Sequence, residues 1–375
     1  MIIKLKYLIN ESVMVENLPP GFNLNDFQSI GEFTDEDLLE SDDKFLGAKT
    51  TDLPDSKISQ RFQQVSDRTA NTEDKYEYPF IHKSNIVDDS GNLINPDKLK
   101  NLIKKRPDTI LKRNKKMLNS GIELVFCDIS LPAFKGLIVD ESTNEFKIVD
   151  TCPGAGACRV YCYAKKGGYV QWKAVSLAQT RVLNFLLNDW NGFKAQVLRE
   201  LGTRNRDENT RKLALRWHDS GDFFSQKYLE LAYDVARVTP NVLHYAYTKM
   251  ISMVSSSNIP DNFVFNYSQG AIEEKLINFK IHKHSIVVPK RMFTEFGHKD
   301  EESGKWIFNS DSDYQTFKNK MSMEYNIPIE SIITYAEMMD KPKTDIPTWN
   351  VIVGSGSGDD AATRKDVLGT YLLSH

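Results

Sequence analysis

From about Gly121 onward, short apolar runs alternate with segments long enough to form helices. Ile122–Ile129 reads as a strand, and Lys135–Asp140 with Phe146–Asp150 reads as a hairpin turning over Glu141–Glu145. Helical spacing extends from about Tyr169 to Leu201, with Trp172, Val175, Leu183, Leu186, Leu187 and Trp190 at apolar positions. Leu213–His218 is a short apolar run, followed by a helix from about Ser225 to Val238. Asn241–Lys249, Asn262–Ser268, Ser285–Pro289, Ser331–Tyr335 and Trp349–Val353 continue the series of strands. Strands separated by helix-length segments pair in parallel through right-handed crossovers. The pattern therefore predicts an α/β fold, a partial or full parallel β/α barrel.

The first part of the chain does not share this regularity. Residues 1–95 show little periodicity and many acids, among them Asp35, Glu36, Asp37, Glu40, Asp42 and Asp43. They are expected to form an irregular acidic arm or small cap. Between Lys98 and Lys116 stand nine basic residues and one acid, Asp108. That run is either a solvated helix face or a strip that faces phosphates. The expected organisation is an arm over 1–95, a basic helical linker over 96–120 and a catalytic domain over 121–375.

Composition narrows the classes. The chain has 375 residues, 40% hydrophobic and 26% charged, with net charge −3. No apolar run approaches the ~20 residues needed to cross a bilayer, so no membrane partner is expected. Met1–Asn10 is too short and too interrupted by lysine for a secretory signal, and reads as a strand. The near-neutral charge makes no global case for nucleic acid. Four cysteines without an even, spread pattern argue against a secreted disulfide scaffold. The expected compartment is a reducing cytoplasm.

Three of the four cysteines, Cys152, Cys158 and Cys162, fall within eleven residues, spaced C-x5-C-x3-C around Pro153, Gly154 and Gly156. Thiolates ligate both zinc and iron–sulfur clusters. Zinc would need a fourth ligand, Cys127 or a histidine from elsewhere. A four-iron, four-sulfur cluster on three cysteines leaves one iron open, a position suited to S-adenosylmethionine. Inert buried thiols are the remaining alternative.

Other polar residues fall where parallel α/β folds place their sites, at the carboxyl ends of strands. Asp219, Lys249 and Tyr247 are expected in the chemistry. Ser220, Gly221, Asp222, Asn266, Ser268, Gly354, Gly356 and Asp359 are expected around a cofactor. Asp222 could instead be the cap of the following helix, and His218 reads better as a buried, satisfied histidine than as a base. The loop Gly354-Ser-Gly-Ser-Gly-Asp-Asp360 is expected to open a helix near Ala361.

The cysteine loop, His218-Asp-Ser-Gly-Asp-Phe223, Tyr245-Ala-Tyr-Thr-Lys249 and the glycine-rich loop together resemble an uncharacterised phage protein family, the gene product eighty-eight domain, over roughly residues 120 to 375. The cysteine loop is in turn similar to that of radical S-adenosylmethionine enzymes, although the spacing in those is C-x3-C-x2-C. The resemblance implies a radical-enzyme-like barrel with a cluster on Cys152, Cys158 and Cys162, and with Ser220, Gly221 and Asp222 near the methionyl amine. It also implies an external electron donor and hydrogen abstraction from a substrate it does not name; a nucleic acid, a nucleotide and a peptide side chain are all open. The rival expectation is a non-catalytic protein, stabilised by zinc or a cluster, that binds nucleic acid.

Overall fold

The computed structural model describes residues 96–113, 124–158, 162, 164, 169, 173–207, 212–288, 290–300, 306–354 and 358–373. The expected N-terminal arm and Gly356 lie outside the described residues. In chain order the elements begin with α1 (Pro96–Lys104), β1 (Leu124–Ile129), β2 (Lys135–Asp140) and β3 (Glu145–Asp150). There follow α2 (Lys173–Asn188), α3 (Trp190–Asp207), β4 (Lys212–Trp217), α4 (Gln226–Val238), β5 (Leu243–Thr248), α5 (Ile251–Ser255) and β6 (Phe263–Ser268). Next come β7 (His284–Val288), α6 (Lys290–Thr294), β8 (Gly297–Lys299), β9 (Trp306–Phe308) and α7 (Asp311–Tyr325). The chain continues through β10 (Ile332–Thr334), α8 (Tyr335–Asp340), β11 (Trp349–Val353), α9 (Gly358–Thr363) and β12 (Val367–Leu373).

Eight strands form one sheet in the order β1-β4-β5-β6-β7-β12-β11-β10. All seven pairs of neighbouring strands in it run parallel. β2 and β3 form the expected antiparallel hairpin, and no helix among the described residues is long and apolar enough to cross a membrane.

Alternation along each strand separates two faces. Val125, Cys127, Leu215, Trp217, Phe263 and Phe265 point into the main core, with Leu183, Leu186, Val197, Tyr228 and Tyr233 from α2, α3 and α4. The opposite face carries Phe126, Ala214 and Tyr245, covered by Ala362 of α9. Toward the carboxyl ends it turns polar. Asp128 pairs in register with Arg216, Arg216 with Tyr245, Tyr247 with Asn266, Ser268 with Ser285, and Ser285 with Thr370.

α9 also shows that the sheet is not flat. The consecutive residues Asp359 and Asp360 accept from Arg216 on β4 (3.2 Å) and from Tyr335 just after β10 (2.9 Å). Those strands are six steps apart, about 29 Å in a flat sheet at ~4.8 Å per step. Two side-chain bridges from neighbouring residues span that gap only if the sheet curls around α9. No pairing joins β1 to β10 among the described residues, so the sheet they form is curled and open between those two strands.

Two local expectations are corrected. The helical stretch from Tyr169 to Leu201 contains a break at Asp189, whose carboxylate accepts from the Gly192 N–H (2.8 Å) and caps α3. α4 is capped by Ser225, which accepts from the Tyr228 N–H (3.2 Å), and not by Asp222. Replacing Ser225 with Ala should therefore cost about 1 kcal/mol of stability, read as a lower urea midpoint. An unchanged midpoint would contradict the cap.

Three histidines are buried in the fold and held neutral. His218 Nε2 pairs with the Tyr228 hydroxyl (2.8 Å), His244 accepts from Trp217 Nε1 (3.1 Å), and His284 meets the Tyr371 hydroxyl (3.1 Å). Burial pushes His218 and His244 down to about 3 and His284 to about 4. In the unfolded chain such rings gain a proton below about pH 6.5. Their share of stability is thus complete above that pH and is lost as pH falls, by up to about 1.4 kcal/mol per pH unit for each ring. Ring nitrogen NMR of the folded protein at pH 5.5 should show all three neutral; a midpoint near 6.5 for any of them would refute this.

Candidate thiol-lined site at the carboxyl ends of the strands

The hairpin strand β3 delivers the chain directly into the cysteine loop. The Cys152 N–H donates back to Asp150 Oδ1 (2.9 Å). Farther on, the loop is clasped by the connection after β6. The N–H groups of Gly156 and Cys158 both donate to the Gly270 carbonyl (2.9 and 3.1 Å), and the Ile272 N–H donates to the Gly154 carbonyl (2.9 Å). The glycines make this possible. A Cβ on Gly154 would stand 2.5 Å from the Lys249 carbonyl oxygen, and one on Gly156 would stand 3.1 Å from Ile272 N.

The three thiols are partly buried and pack in one small cluster with Ala133, Phe134, Ala155, Ala164 and Tyr169. Cys162 shares a side-chain hydrogen bond with Cys158, which raises Cys162 well above the ordinary thiol range and holds Cys158 below it. The Lys249 ammonium also bonds Cys158 and lowers it further. Burial pushes Cys152 up to about 12, although the Phe134 N–H donates to its sulfur (3.4 Å). Burial opposes the Lys249 charge as well, but the nearby thiols and Asp222 keep its pKa above the usual value. Cys127 is elsewhere: it points into the opposite core, donates to the Ala214 carbonyl (3.6 Å), and is raised to about 12 by burial. Among the described residues, no group of three or more His, Cys, Asp or Glu side chains is arranged to hold a metal ion.

Beside the thiols, Asp222 joins two strand ends. Its Oδ1 accepts from the Phe223 N–H (2.7 Å) and Thr248 Oγ1 (2.8 Å), and its Oδ2 accepts from the Lys249 N–H (2.8 Å). Burial raises its pKa, with the Lys249 charge and these donors opposing. Both oxygens thus support the turn that presents Lys249. Gly221 has φ +86° and its missing Cβ would meet Leu131 Cβ at 2.8 Å, so the Asp219–Asp222 turn can pass this closely only with glycine there.

A second polar group lies on the curled face. Arg216 donates to Asp359 Oδ1 (3.2 Å) and to the His218 carbonyl (3.1 Å), and its guanidinium lies 4.8 Å over the Tyr247 ring. The Tyr247 hydroxyl donates to the Gly358 carbonyl (3.1 Å), and Asn266 Nδ2 to the Ala362 carbonyl (3.3 Å). Ser268 lies at the end of β6, and Gly354 directly follows β11. Tyr169 connects the two groups: it packs on the thiol cluster while its hydroxyl donates to Asp219 Oδ2 (2.9 Å).

The sequence reading thus placed Asp219 to Asp222, Tyr247, Lys249 and Asn266 on one rim, as found. It missed Asp128, Arg216 and Tyr169. Asp128 was visible in principle, because it is the next-to-last residue of β1 and obeys the same strand-end rule. Arg216 alternates with Ala214 and so belongs to the curled face, but only the register identifies that face. In the basic run, Lys104 donates to Asn144 Oδ1 (2.6 Å), and Arg106 donates to Gln196 Oε1 (3.1 Å) and covers the Phe185 ring at 4.2 Å. Those two cations are thus engaged by the fold itself. Residues 114–116 lie outside the described residues.

Fold and site together define an α/β protein with a curled parallel sheet and a thiol-lined site at its strand ends. The family model described as Gene product 88 matches residues 101–331, more than half of the chain, and the chain belongs to that family. This membership supports a phage-type protein. The match includes the cysteine loop and the rim from Asp128 to Ser268, while the glycine-rich loop and Asp359 lie beyond it. No curated protein and no solved structure matches the chain.

The close approach at Gly154 gives a direct test. Gly154→Ala should destabilise the protein by about 1–3 kcal/mol, because backbone and not a flexible side chain must give way. Gly202, within α3, has nothing within 4 Å of its would-be Cβ, so Gly202→Ala should stabilise by up to about 1 kcal/mol. Melting temperatures moving in opposite directions are expected; equal shifts would show that the loop is not clasped as described.

Proposed function

We propose that this protein is an iron–sulfur enzyme of the radical S-adenosylmethionine type, acting on a substrate held at the carboxyl ends of the strands. The observation that carries the reading is the gathering of Cys152, Cys158 and Cys162 with Lys249 in one partly buried cluster on that rim. The donor types suit that group, and its binding would draw the thiols into an arrangement they do not have without it: the three pack on one cluster, backbone N–H groups donate to two of the sulfurs, and the Lys249 cation offsets their charge. Such hydrogen bonds tune sulfur-ligated clusters.

On this reading the three cysteines hold a four-iron, four-sulfur cluster, which when bound supplies the electron for reductive cleavage of S-adenosylmethionine. That electron originates from an external donor. Lys249 balances the thiolate charge from its turn, and Asp222 fixes that turn through its three accepted hydrogen bonds. The Ser220–Gly221 segment, allowed close approach by its glycine, borders the cofactor. Tyr247, Asn266 and Asp359 line the substrate side, where hydrogen abstraction takes place.

Protein purified without oxygen should contain about four irons and four sulfides per chain. With a reductant and S-adenosylmethionine it should release 5′-deoxyadenosine. Cys158→Ala should lose both the sulfide and the cleavage. One zinc per chain without sulfide, or full cleavage by the Cys158→Ala variant, would overturn the assignment.

A further inference from the structure

Three neighbouring strands of the curled face carry a row of hydroxyls. Ser268 at the end of β6 is level with Ser285 on β7, and Ser285 is level with Thr370 on β12. Alternation turns all three side chains away from the cores that hold Tyr267, Ile286 and Tyr371. With strands ~4.8 Å apart, the three hydroxyls stand side by side over roughly 10 Å. They are 8%, 5% and 0% exposed. Buried polar atoms in folded proteins almost always have partners. Thr370 Oγ1 has none, and among the described residues neither Ser268 Oγ nor Ser285 Oγ has one.

The row is the floor of a recess. Nearer the rim on the same face, Val287 and Leu372 are level with each other and half-buried, although their strands lie inside the sheet. α9 is anchored on either side of β7. On one side the Tyr247 hydroxyl of β5 donates to the Gly358 carbonyl, and Asn266 Nδ2 of β6 donates to the Ala362 carbonyl. On the other, a Cβ on Gly358 would stand 2.8 Å from Leu372 Cδ2 of β12. β7, which carries Ser285, runs between those anchors.

We propose that the row Ser268, Ser285 and Thr370 binds an uncharged polyhydroxyl ring, that of a free hexose or of a nucleoside ribose. The inference goes beyond the iron–sulfur reading and does not rest on it. Each hydroxyl offers one donor and two acceptors, so the row suits a partner whose own groups also donate and accept. A charged group would be buried there without a counter-charge, which is costly. Arg216 is engaged by Asp359 and the His218 carbonyl, the Lys249 ammonium bonds Cys158, and Asp360 accepts from Tyr335. Hydroxyls on alternate carbons of a sugar ring repeat at nearly the strand spacing of ~4.8 Å, so one ring meets adjacent members of the row. Val287 and Leu372, above the row, face the C–H groups of that ring.

The test combines stability and binding on the full chain. Without ligand, Thr370→Val should raise the melting temperature, because it replaces an unpartnered buried hydroxyl by a methyl of similar shape. Calorimetric titration of the unmodified chain with D-glucose and, separately, with uridine should show saturable binding at millimolar concentration; the probe that binds identifies the source of the ring. Thr370→Val and Ser285→Ala should each weaken that binding roughly 3- to 10-fold. If one variant does not fold, the other and the unmodified chain still decide. A melting temperature that does not rise would mean that the fold already uses the Thr370 hydroxyl. That result, no saturable binding of either probe, or unchanged affinity in the folded variants would overturn the proposal. Because no iron, sulfide or S-adenosylmethionine enters these measurements, their failure is separate from failure of the iron–sulfur reading.

Discussion

The direction of eight strands governs everything at this site. Because β1, β4 to β7 and β10 to β12 all run the same way, their carboxyl ends emerge on one rim, and every loop that leaves them is a neighbour of the others. Residues from Asp128 to Asp359 meet there although more than two hundred positions separate them in the chain. The clasp between the cysteine loop and the Gly270 connection is a local case of the same constraint: it brings a hairpin exit onto the end of β6. Reversing one central strand would scatter the thiols, Lys249 and Asp222 to opposite ends.

The two faces of the sheet divide the labour. One is a dense aromatic and aliphatic core against three long helices, which fixes the strands in place. Among the described residues the other is covered by the short helices α8 and α9, whose Met338, Ala361 and Ala362 pack on it, and is polar toward the strand ends. Arg216, Tyr247 and Asp359 then form a fixed polar wall in which each group is oriented by another.

Much of this was legible in the sequence, and the reasons it was not complete are physical. Period-two runs such as Leu213–Trp217 and Phe263–Ser268 gave the strands, and their spacing gave the parallel direction. The break at Asp189 was hidden because apolar residues continue the helical period on both sides of it, and an Asp cap interrupts the backbone without interrupting that period. β12 was missed although Val367–Leu373 is apolar: it follows the glycine-rich loop after only a short helix, so no helix-length spacer announced it. At the site, cysteine spacing and strand-end position found the thiols, Asp222 and Lys249. They could not show that Asp222 spends both oxygens on the protein, because that depends on how the ends of β4 and β5 meet.

The position of β12 has a consequence for how the chain becomes a protein. This strand lies between β7 and β11, near the middle of the sheet, yet it is the last of the eight to be synthesised. Until residues 367–373 leave the ribosome, the nascent sheet is two unjoined wings, and β7 and β11 each present an open edge. Open parallel edges invite pairing with other chains. The vulnerable interval in this protein's biogenesis therefore runs from the emergence of β11 to that of β12, the strand that joins the two wings.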